Sequence, residues 1–517
     1  MAKYIFVTGG VVSSLGKGVT ASSLGRLLKN RGLKVFMQKF DPYLNVDPGL
    51  MDPCEHGEVF VTDDGAETDL DLGHYERFID ERLSQNSSIT TGRVYSNVIK
   101  RERKGDYGGA TVQVIPHVTD EIKNKLIAAA EESGADIIIT EIGGTVGDIE
   151  GLPFLEAIRQ ARLDFGYKNT LYVHNTLVPY LKAADEIKTK PTQHSVKELL
   201  SLGIQPDVVV LRTEVEIEDA VKAKISSFCN VQKEAVIEAC DAEVLYEVPM
   251  RLQAQGLDDL VLDHFRMKAP AADMSSWNQL IQTVKNLDGE VKIGIVGDYA
   301  ILPDAYFSIN EALRHAGYAF NKKAKISFIN AATVKENTAH QLSHLNGILI
   351  PYGEKTKALD GKLATIKYAR ENNIPFLGIE QGMQLIAIEY GKNLIKTNTD
   401  DMIGFLPKEA INKDSEWRTG LFETQLEPDS KISSIYGTTH IAERHRHQFI
   451  LNNEVKTTLE KAGLKCSGIS KNFNFIEAVE LENHPFFIGV AFHPQFLSRP
   501  QTPHPLFKEF IKSAINK

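Results

Sequence analysis

Gly9-Gly-Val-Val-Ser-Ser-Leu-Gly-Lys-Gly18 is a glycine-rich stretch that follows a short apolar run, Tyr4–Thr8, and precedes a helical pattern, Ala21–Asn30. A strand, a glycine-rich loop and a helix in that order are typical of an open α/β sheet. Backbone N–H groups of such a loop attract anions, and Lys17 adds a positive charge suited to phosphates. Because Gly18 stands where the strict phosphate-loop motif has Ser or Thr, a plain strand-to-helix turn is also compatible with this stretch.

The alternation of strand and helix patterns continues along the chain. Further apolar runs predict buried parallel strands, separated by helices, at Ala135–Thr140, Leu171–His174 and Val208–Leu211. A second series begins at Val291–Gly297 and continues near Ile326–Ile329, Gly347–Pro351 and Ile374–Gly378. The predicted fold class is α/β, with an N-terminal open parallel sheet of the phosphate-loop kind and a C-terminal α/β domain.

Domain limits follow from where this alternation weakens. After about Leu262 the stretch Lys268–Trp277 has the composition of a linker plus a short helix, and we place the boundary near residue 285. The predicted domains are 1–267 and 291–517, joined by a linker at 268–290.

Composition narrows the class of protein. The 517 residues are 42% hydrophobic and 24% charged, the balance of a soluble globular protein with two or three domains. A formal charge of −10 argues against nucleic-acid binding, and no stretch is long and apolar enough to suggest a membrane span. Four scattered cysteines without metal-type spacing favour a reduced setting, so we expect a cytoplasmic protein.

Three further stretches carry side chains suited to nucleotide chemistry. Asp63–Gly73 is crowded with carboxylates that suit Mg²⁺, although a solvated acidic run has the same composition. Glu141 ends the strand pattern Asp136–Thr140, where open α/β sheets bind ligands. Lys188-Thr-Lys-Pro-Thr-Gln193 can hold a triphosphate, but an exposed basic loop is the plainer alternative.

The second half contains a distinctive turn at Ile374-Pro-Phe-Leu-Gly-Ile-Glu-Gln-Gly-Met-Gln384. A strand, a Gly-x-x-x-Gly turn and a helix would present the side chain of Glu380 as a nucleophile elbow does. A carboxylate is a far weaker nucleophile than the cysteine thiolate used to attack amides. This turn therefore has the layout of a glutamine-hydrolysing site without its nucleophile.

With these motifs in place, nearly the whole chain resembles the CTP synthase family, amidoligases that convert UTP to CTP with ATP and an ammonia source. The resemblance is most specific at Gly9–Gly18, Gln38–Tyr43, Asn45–Gly49, His56–Gly65, Glu141–Glu150 and Lys188–Gln193. It implies Mg²⁺ as cofactor, ATP as co-substrate, CTP as feedback inhibitor and a homotetramer. It also implies that ATP phosphorylates the 4-oxygen of UTP before ammonia displaces the phosphate.

The resemblance assigns roles residue by residue. The implied ATP-binding residues are Ser14, Leu15, Gly16, Lys17, Gly18, Val19, Asp71, Cys240, Asp241 and Ala242, and Lys17 and Lys39 are implied to be catalytic. The implied UTP- and CTP-binding residues are Ser13, Asp148, Ile149, Glu150, Lys188, Thr189, Lys190, Pro191, Thr192, Gln193 and Lys224. The implied metal ligands are Asp71 and Glu141, and the implied ammonia gate is Pro53, His56 and Val59.

One loop departs from the family pattern. Gly49-Leu-Met-Asp-Pro-Cys-Glu-His-Gly-Glu58 stands where the family has Gly-Thr-Met-Ser-Pro-x-Gln-His-Gly-Glu. The gate positions Pro53, His56 and Val59 are kept, whereas Leu50 to Glu55 contains several unusual side chains. Extra carboxylates could attract ammonium or shape a pocket for another amine, and neutral surface change explains them equally well.

The C-terminal half resembles class I glutamine amidotransferases with each catalytic part altered. Glu380 replaces the nucleophilic cysteine, and Pro351-Tyr-Gly-Glu-Lys355 replaces the glycine-rich oxyanion strand. His493 is retained as a vestigial base, but Gln495 replaces the glutamate that orients it. A glycine-rich stretch that helps to hold glutamine has no counterpart between Trp417 and His440. We therefore expect glutaminase activity to be lost.

Three hypotheses follow from the sequence. The first is a CTP synthase that uses ammonia and carries a pseudo-glutaminase domain. The second is an amidoligase that attaches another amine to UTP or a related nucleotide. The third is an inactive regulatory partner of an authentic CTP synthase, and the retained phosphate and metal residues count against it.

Overall fold

The computed structural model describes residues 2–13, 15–354, 356–399, 402–412 and 417–517. By their contacts these residues form two compact units, one of residues 1–47 and 74–282 and the other of 48–73 and 283–517. The segment 48–73 thus joins the second unit, although it lies inside the contiguous range 1–267 predicted for the first domain.

Strands and helices alternate through most of the described chain. The strands, β1 to β22 in chain order, are Lys3–Gly9, Val35–Asp41, Phe60–Val61, Glu67–Thr68, Ser88–Thr90, Ile137–Ile142, Thr170–Leu177, Tyr180–Leu181, Glu186–Ile187, Val208–Thr213, Val236–Cys240, Glu290–Gly297, Lys323–Asn330, Gly347–Ile350, Phe376–Ile379, Ile403–Phe405, Arg418–Leu426, His440–His447, Phe449–Leu451, Leu464–Ser470, Ile476–Leu481 and Phe487–Val490.

The helices, α1 to α17 in chain order, are Lys17–Asn30, Pro53–His56, Asp71–Ile79, Thr91–Lys104, Thr119–Ser133, Leu152–Phe165, Lys190–Ser201, Asp219–Cys229, Val248–Ala254, Leu257–Phe265, Ser275–Lys285, Phe307–Tyr318, Leu359–Glu371, Gln381–Tyr390, Lys431–Tyr436, Lys456–Lys461 and Pro505–Ile515. Among them, no helix in the described part of the chain combines the length and the hydropathy needed to cross a bilayer.

The first unit is built on a parallel sheet of seven strands in the order β11-β10-β7-β1-β6-β2-β5. Its central strands are buried on both faces, as the near-continuous apolar runs predicted. The predicted α/β class is confirmed for this unit. Because all strands run the same way, their carboxyl ends and the loops that follow them share one edge of the sheet.

Among its described residues, the second unit contains a mixed sheet of eleven strands. Strands β13, β12, β14, β15 and β22 are parallel neighbours, and the order continues through β21, β20, β17 and β18 with antiparallel pairing. The parallel half predicted from the apolar runs is therefore present, and it carries the turn at Glu380. The short hairpin of β3 and β4 belongs to the same unit.

Candidate functional site

Three of the predicted residues meet at the carboxyl edge of the first sheet. Lys39 on β2 and Val7 on β1 are both register partners of Glu141 on β6. Lys17, in the first turn of α1, donates from Nζ to the carbonyl oxygen of Gly144 in the loop after β6. The structure therefore brings Lys17, Lys39 and Glu141 to one edge of the sheet, as expected for a nucleotide site.

The glycine-rich loop packs against three hydrogen-bonded polar side chains, those of Ser195, His174 and Thr8. A side chain at Gly10 would place its Cβ 1.8 Å from Oγ of Ser195, so only glycine fits there. Ser195 hydrogen-bonds to Nε2 of His174 at 2.8 Å, and Nδ1 of His174 bonds to Thr8 at 2.8 Å. Burial, together with the charge of Lys17, lowers the pKa of His174 to about 3 and keeps its ring neutral.

The basic loop Lys188–Gln193 leads into helix α7. Pro191 lies in the first turn of that helix, where a missing N–H is tolerated. The hydroxyl of Thr192 is 3.1 Å from that of Thr176 and donates to the carbonyl of Leu177 at 3.0 Å. These contacts fix the loop at the end of β7, on the same edge of the sheet as Glu141.

The remaining nucleotide-binding candidates differ in their surroundings. Asp148 accepts a hydrogen bond from the backbone of Thr145 at 2.8 Å and begins a short exposed turn through Ile149 to Glu150. Cys240 ends the edge strand β11, and the backbone N–H of Asp241 donates to Thr213 at 3.1 Å. Ser13, Lys190 and Lys224 are exposed, and Ser14 lies outside the described residues.

The buried carboxylate of Glu141 fits one ligand position of a Mg²⁺ ion. Its Oε2 accepts a hydrogen bond from the hydroxyl of Tyr75, which fixes its direction. Asp71 is the first residue of α3. Within the described ranges, no group of three or more His, Cys, Asp or Glu side chains could hold a metal ion. That is compatible with Mg²⁺, which takes one or two carboxylates and completes its shell with phosphates and water.

The residues that the resemblance implies to be an ammonia gate belong to the second unit. Pro53 and His56 form the two ends of helix α2, and Val59 is buried just before β3. Between them, the buried carboxylate of Glu58 accepts two hydrogen bonds from the backbone N–H of Ser308, at 3.0 and 2.9 Å. This carboxylate therefore caps the N-terminus of α12 and fixes the gate segment to its unit.

The turn at Glu380 has the backbone of a nucleophile elbow. Glu380 lies between β15 and α14 with a φ of 54°, a left-handed conformation that is uncommon for a residue with a side chain. A Cβ at Gly382 would lie 2.3 Å from the carbonyl oxygen of Ile350, and one at Gly378 would lie 2.7 Å from the backbone of Gly382. The flanking glycines are thus required by close packing.

The side chain of Glu380 folds back onto the helix that follows it. Its Oε2 accepts a hydrogen bond from the backbone N–H of Gln381 at 2.7 Å. Burial raises the pKa of this carboxyl to about 7, against the lowering effect of that N–H, Arg446 and Lys362. The N–H that follows an elbow residue commonly stabilises an oxyanion, and here the residue's own carboxylate accepts from it.

Glu380 lines a cavity of about 340 Å³ that lies within the second unit. Most of its wall is apolar, and its polar lining includes Gln381, Gln384 and Arg446. Arg446 donates to Glu67 at 2.8 Å and to the carbonyl of Gly49 at 2.8 Å, and its guanidinium lies 4.5 Å from the ring of Trp417.

The strand-end loop that should supply the oxyanion donors is tied to a buried ion pair. Lys362 donates to Asp298 at 2.6 Å and to the side chain of Gln381 at 2.7 Å. The same Asp298 oxygen accepts the backbone N–H of Glu354 at 2.9 Å. Tyr352 is half-buried and its hydroxyl donates to the carbonyl of Ala305. The N–H of Glu354 is therefore already bonded to a carboxylate; Lys355 lies outside the described residues.

His493 is held in a tautomer that is unsuited to a catalytic base. Its Nε2 faces the carbonyl oxygen of Arg446 at 3.1 Å, which requires a proton on Nε2. Nδ1 is then an acceptor, and the side-chain nitrogen of Gln495 lies 2.9 Å from it. Burial lowers the pKa of His493 to about 3, so the ring stays neutral. Gln495, which replaces the glutamate expected from the family pattern, thus donates to Nδ1 of His493, where a glutamate would accept.

Sequence reasoning missed the residues that fix these groups from a distance. The pairs Lys362–Asp298, Arg446–Glu67 and Ser195–His174 are 64, 379 and 21 residues apart in the chain. None of them forms a short motif. Lys362 shares helix α13 with Lys367 and Arg370, so its burial has no distinctive signal in the sequence either.

Comparison with known proteins identifies the families that the two halves of the chain match. Residues 3–267 match the family described as CTP synthase N-terminus, and residues 301–513 match glutamine amidotransferase class-I. A CTP synthase of Halalkalibacterium halodurans is 56% identical, with 100% of this chain and 99% of the relative covered. A CTP synthase of Bacillus subtilis is 54% identical, with the same coverage of the two chains. Among solved structures, a Trypanosoma brucei CTPS glutaminase domain with bound acivicin is 29% identical, with a TM-score of 0.41, and covers 44% of this chain and 94% of its own.

Proposed function

This chain belongs to the CTP synthase family and is a ligase that converts UTP to CTP, and from that premise we propose that it uses ammonia rather than glutamine as nitrogen donor. The observation that carries the proposal is Glu380 at the elbow. Its carboxylate cannot act as the thiolate does, and it accepts from the N–H that an oxyanion would use.

Two further groups support the proposal. His493 has its Nε2 proton bonded to Arg446, so it has no lone pair directed at a nucleophile. Glu354 has its backbone N–H bonded to Asp298. Because nucleophile, base and oxyanion donors act as a unit in acyl transfer, the joint change of all three removes glutamine hydrolysis.

The first unit supplies the ligase chemistry. ATP transfers its γ-phosphoryl group to the 4-oxygen of UTP and leaves as ADP; ammonia then bonds to C4, and the C4–O bond breaks to release phosphate. We propose that Lys17 and Lys39 bind the transferring phosphoryl group and that Lys188–Gln193 and Lys224 orient UTP. Mg²⁺, held by Glu141 and Asp71, would neutralise phosphate charge. Asp148–Glu150 would contact the base of inhibitory CTP, and we propose a homotetramer.

The test is CTP formation by the purified full chain with UTP, ATP and MgCl₂, supplied with either ammonium chloride or L-glutamine plus GTP. We expect CTP, ADP and phosphate in equal amounts with ammonium, increasingly at alkaline pH where more free NH₃ exists, and none with glutamine. Lys17→Ala serves as the inactive control.

Two outcomes would contradict the proposal. Release of glutamate together with CTP would show that the second unit still hydrolyses glutamine. Failure with ammonium but product formation with methylamine or hydroxylamine would favour the specialised amidoligase instead.

A further inference from the structure

The cavity beside Glu380 has the features of a small-molecule site. Its volume of about 340 Å³ lies within the usual range of such pockets. The apolar part of its lining consists largely of leucine, isoleucine and aromatic side chains: Tyr299, Leu359, Leu363, Leu385, Ile388 and Phe449. A ligand with a compact apolar body would bury well there.

The carboxylate of Glu380 is a polar group in the cavity wall that a ligand could bind. The residue is only 7% exposed, and one carboxylate oxygen, Oε2, accepts from Gln381 at 2.7 Å. Within the described part of the chain, the other oxygen, Oε1, has no hydrogen-bond donor. Oε1 is not among the fully buried unpartnered side-chain atoms of the described residues, so it is accessible from the cavity, where a charged donor on a ligand could bond to it.

The positive charges near Glu380 have partners of their own. Arg446 is paired with Glu67 at 2.8 Å, and Lys362 is paired with Asp298 at 2.6 Å. Lys392, which also lines the cavity, is exposed to solvent. Above its pKa of about 7, Glu380 is therefore the buried charge of this cavity that still lacks a direct cationic partner among the described residues.

We propose that this cavity binds a small organic ammonium ion with an apolar body, whose N–H groups donate to Oε1 of Glu380. A primary ammonium ion supplies both the charge and the donors that this oxygen lacks, while a neutral amide supplies donors alone. Aromatic side chains in the wall favour a cation over a neutral ligand of the same shape. The inference rests on the proposed loss of glutamine as occupant.

The test uses benzylamine as the probe and benzyl alcohol as its neutral isostere, measured by isothermal titration calorimetry on the full chain without nucleotides. We expect benzylamine to bind in a one-to-one ratio and benzyl alcohol to bind at least roughly tenfold more weakly. Glu380→Gln, which keeps the shape and removes the charge, should weaken benzylamine by a similar factor. Glu423→Gln, a change of an exposed carboxylate, should leave the affinity unchanged.

Leu363→Trp provides an independent variant, because a larger side chain fills the cavity without touching the charge. It should abolish benzylamine binding, and the unfolding temperature of each variant without ligand shows whether it is folded. Equal binding by wild type and Glu380→Gln, equal affinity for amine and alcohol, or no binding at millimolar benzylamine would each overturn the inference. None of these binding outcomes bears on whether the protein forms CTP from ammonium. Release of glutamate from glutamine, in contrast, would overturn the proposed function.

Discussion

Gln495 donates its side-chain amide to Nδ1 of His493 across 2.9 Å, and His493 donates from Nε2 to the carbonyl of Arg446 across 3.1 Å. Both ring nitrogens are therefore committed. A carboxylate at position 495 would instead require a proton on Nδ1 and would stabilise the charged ring.

We therefore expect Gln495→Glu to raise the pKa of His493 from its low value of about 3, by roughly one to three pH units. In this variant the doubly protonated ring can donate at both nitrogens, to the introduced carboxylate and to the carbonyl of Arg446. Histidine-labelled protein followed by NMR over pH measures this, with His493→Asn to assign the signal. An unchanged titration would show that burial alone determines the pKa.

Glu380→Cys alone should not restore glutamine hydrolysis. The substitution frees the N–H of Gln381, but His493 still has its proton on Nε2 and Glu354 still has its N–H bonded to Asp298. We expect glutamate release at least about a hundredfold slower than in an intact family member. Alkylation of the introduced thiol, detected by mass spectrometry, shows that it is present and accessible. A rate near that of an intact glutaminase would refute the assignment of these donors.

Glu380 should make the protein less stable at high pH. Its folded pKa of about 7 lies above the ordinary value of 4.5, so between these values the folded chain keeps a proton that the unfolded chain has lost. The free energy of unfolding therefore falls as pH rises through this window, by about 3 kcal/mol in total. Glu380→Gln should raise the unfolding temperature at pH 8 and leave it nearly unchanged at pH 4. Glu55→Gln, a change of another exposed carboxylate, is the control, and equal effects of Glu380→Gln at both pH values would contradict the assignment.

Glu58→Ala should destabilise the second unit. Glu58 is 2% exposed and accepts from both the N–H and the hydroxyl of Ser308 at the start of α12, so its removal takes away buried charge-assisted hydrogen bonds. We expect a loss of about 2–3 kcal/mol, measured by calorimetry. Faster hydrogen exchange in residues 48–73 should accompany it. Glu55→Ala, on the exposed side of the same segment, should change neither quantity by more than a few tenths of a kcal/mol.

Lys17→Ala should lower the rate of CTP formation from ammonium by at least about a hundredfold, because it removes a charge from the proposed phosphoryl site. Lys100→Ala, an exposed lysine on α4, should retain the wild-type rate. Steady-state kinetics with saturating ATP, UTP and ammonium measures both. Loss of only a few-fold would mean that Lys17 acts mainly through its bond to Gly144.

The sequence was sufficient to predict elements whose signal is local. Strands β1, β10 and β15 lie within two residues of their predicted positions, because each is an apolar run that ends at a glycine, a charge or a turn. Helix α7 begins at Lys190, five residues before the pattern at Ser195. Its first turn contains Pro191 and polar residues, which carry no apolar periodicity.

Contacts between distant segments were not predictable in the same way. No local pattern relates Glu58 to Ser308, which are 250 residues apart, yet this contact joins the gate segment to the second unit. Gln495 was recognised as a replacement for an acid, but its effect on the tautomer of His493 depends on the carbonyl of Arg446, 47 residues away. Such contacts depend on how distant strands and helices pack in the folded protein. Local sequence patterns do not specify that packing.

In the turn around Glu380, whose backbone is left-handed, some positions tolerate a change of residue and others do not. Gly378 and Gly382 touch neighbouring backbone, so any larger residue at either position displaces the turn. The side chain at 380 faces the cavity instead, and exchanging it changes the chemistry presented there while the frame remains. Substitution is thus tolerated better at position 380 than at the flanking glycines, and a new ligand preference can arise there without a new fold.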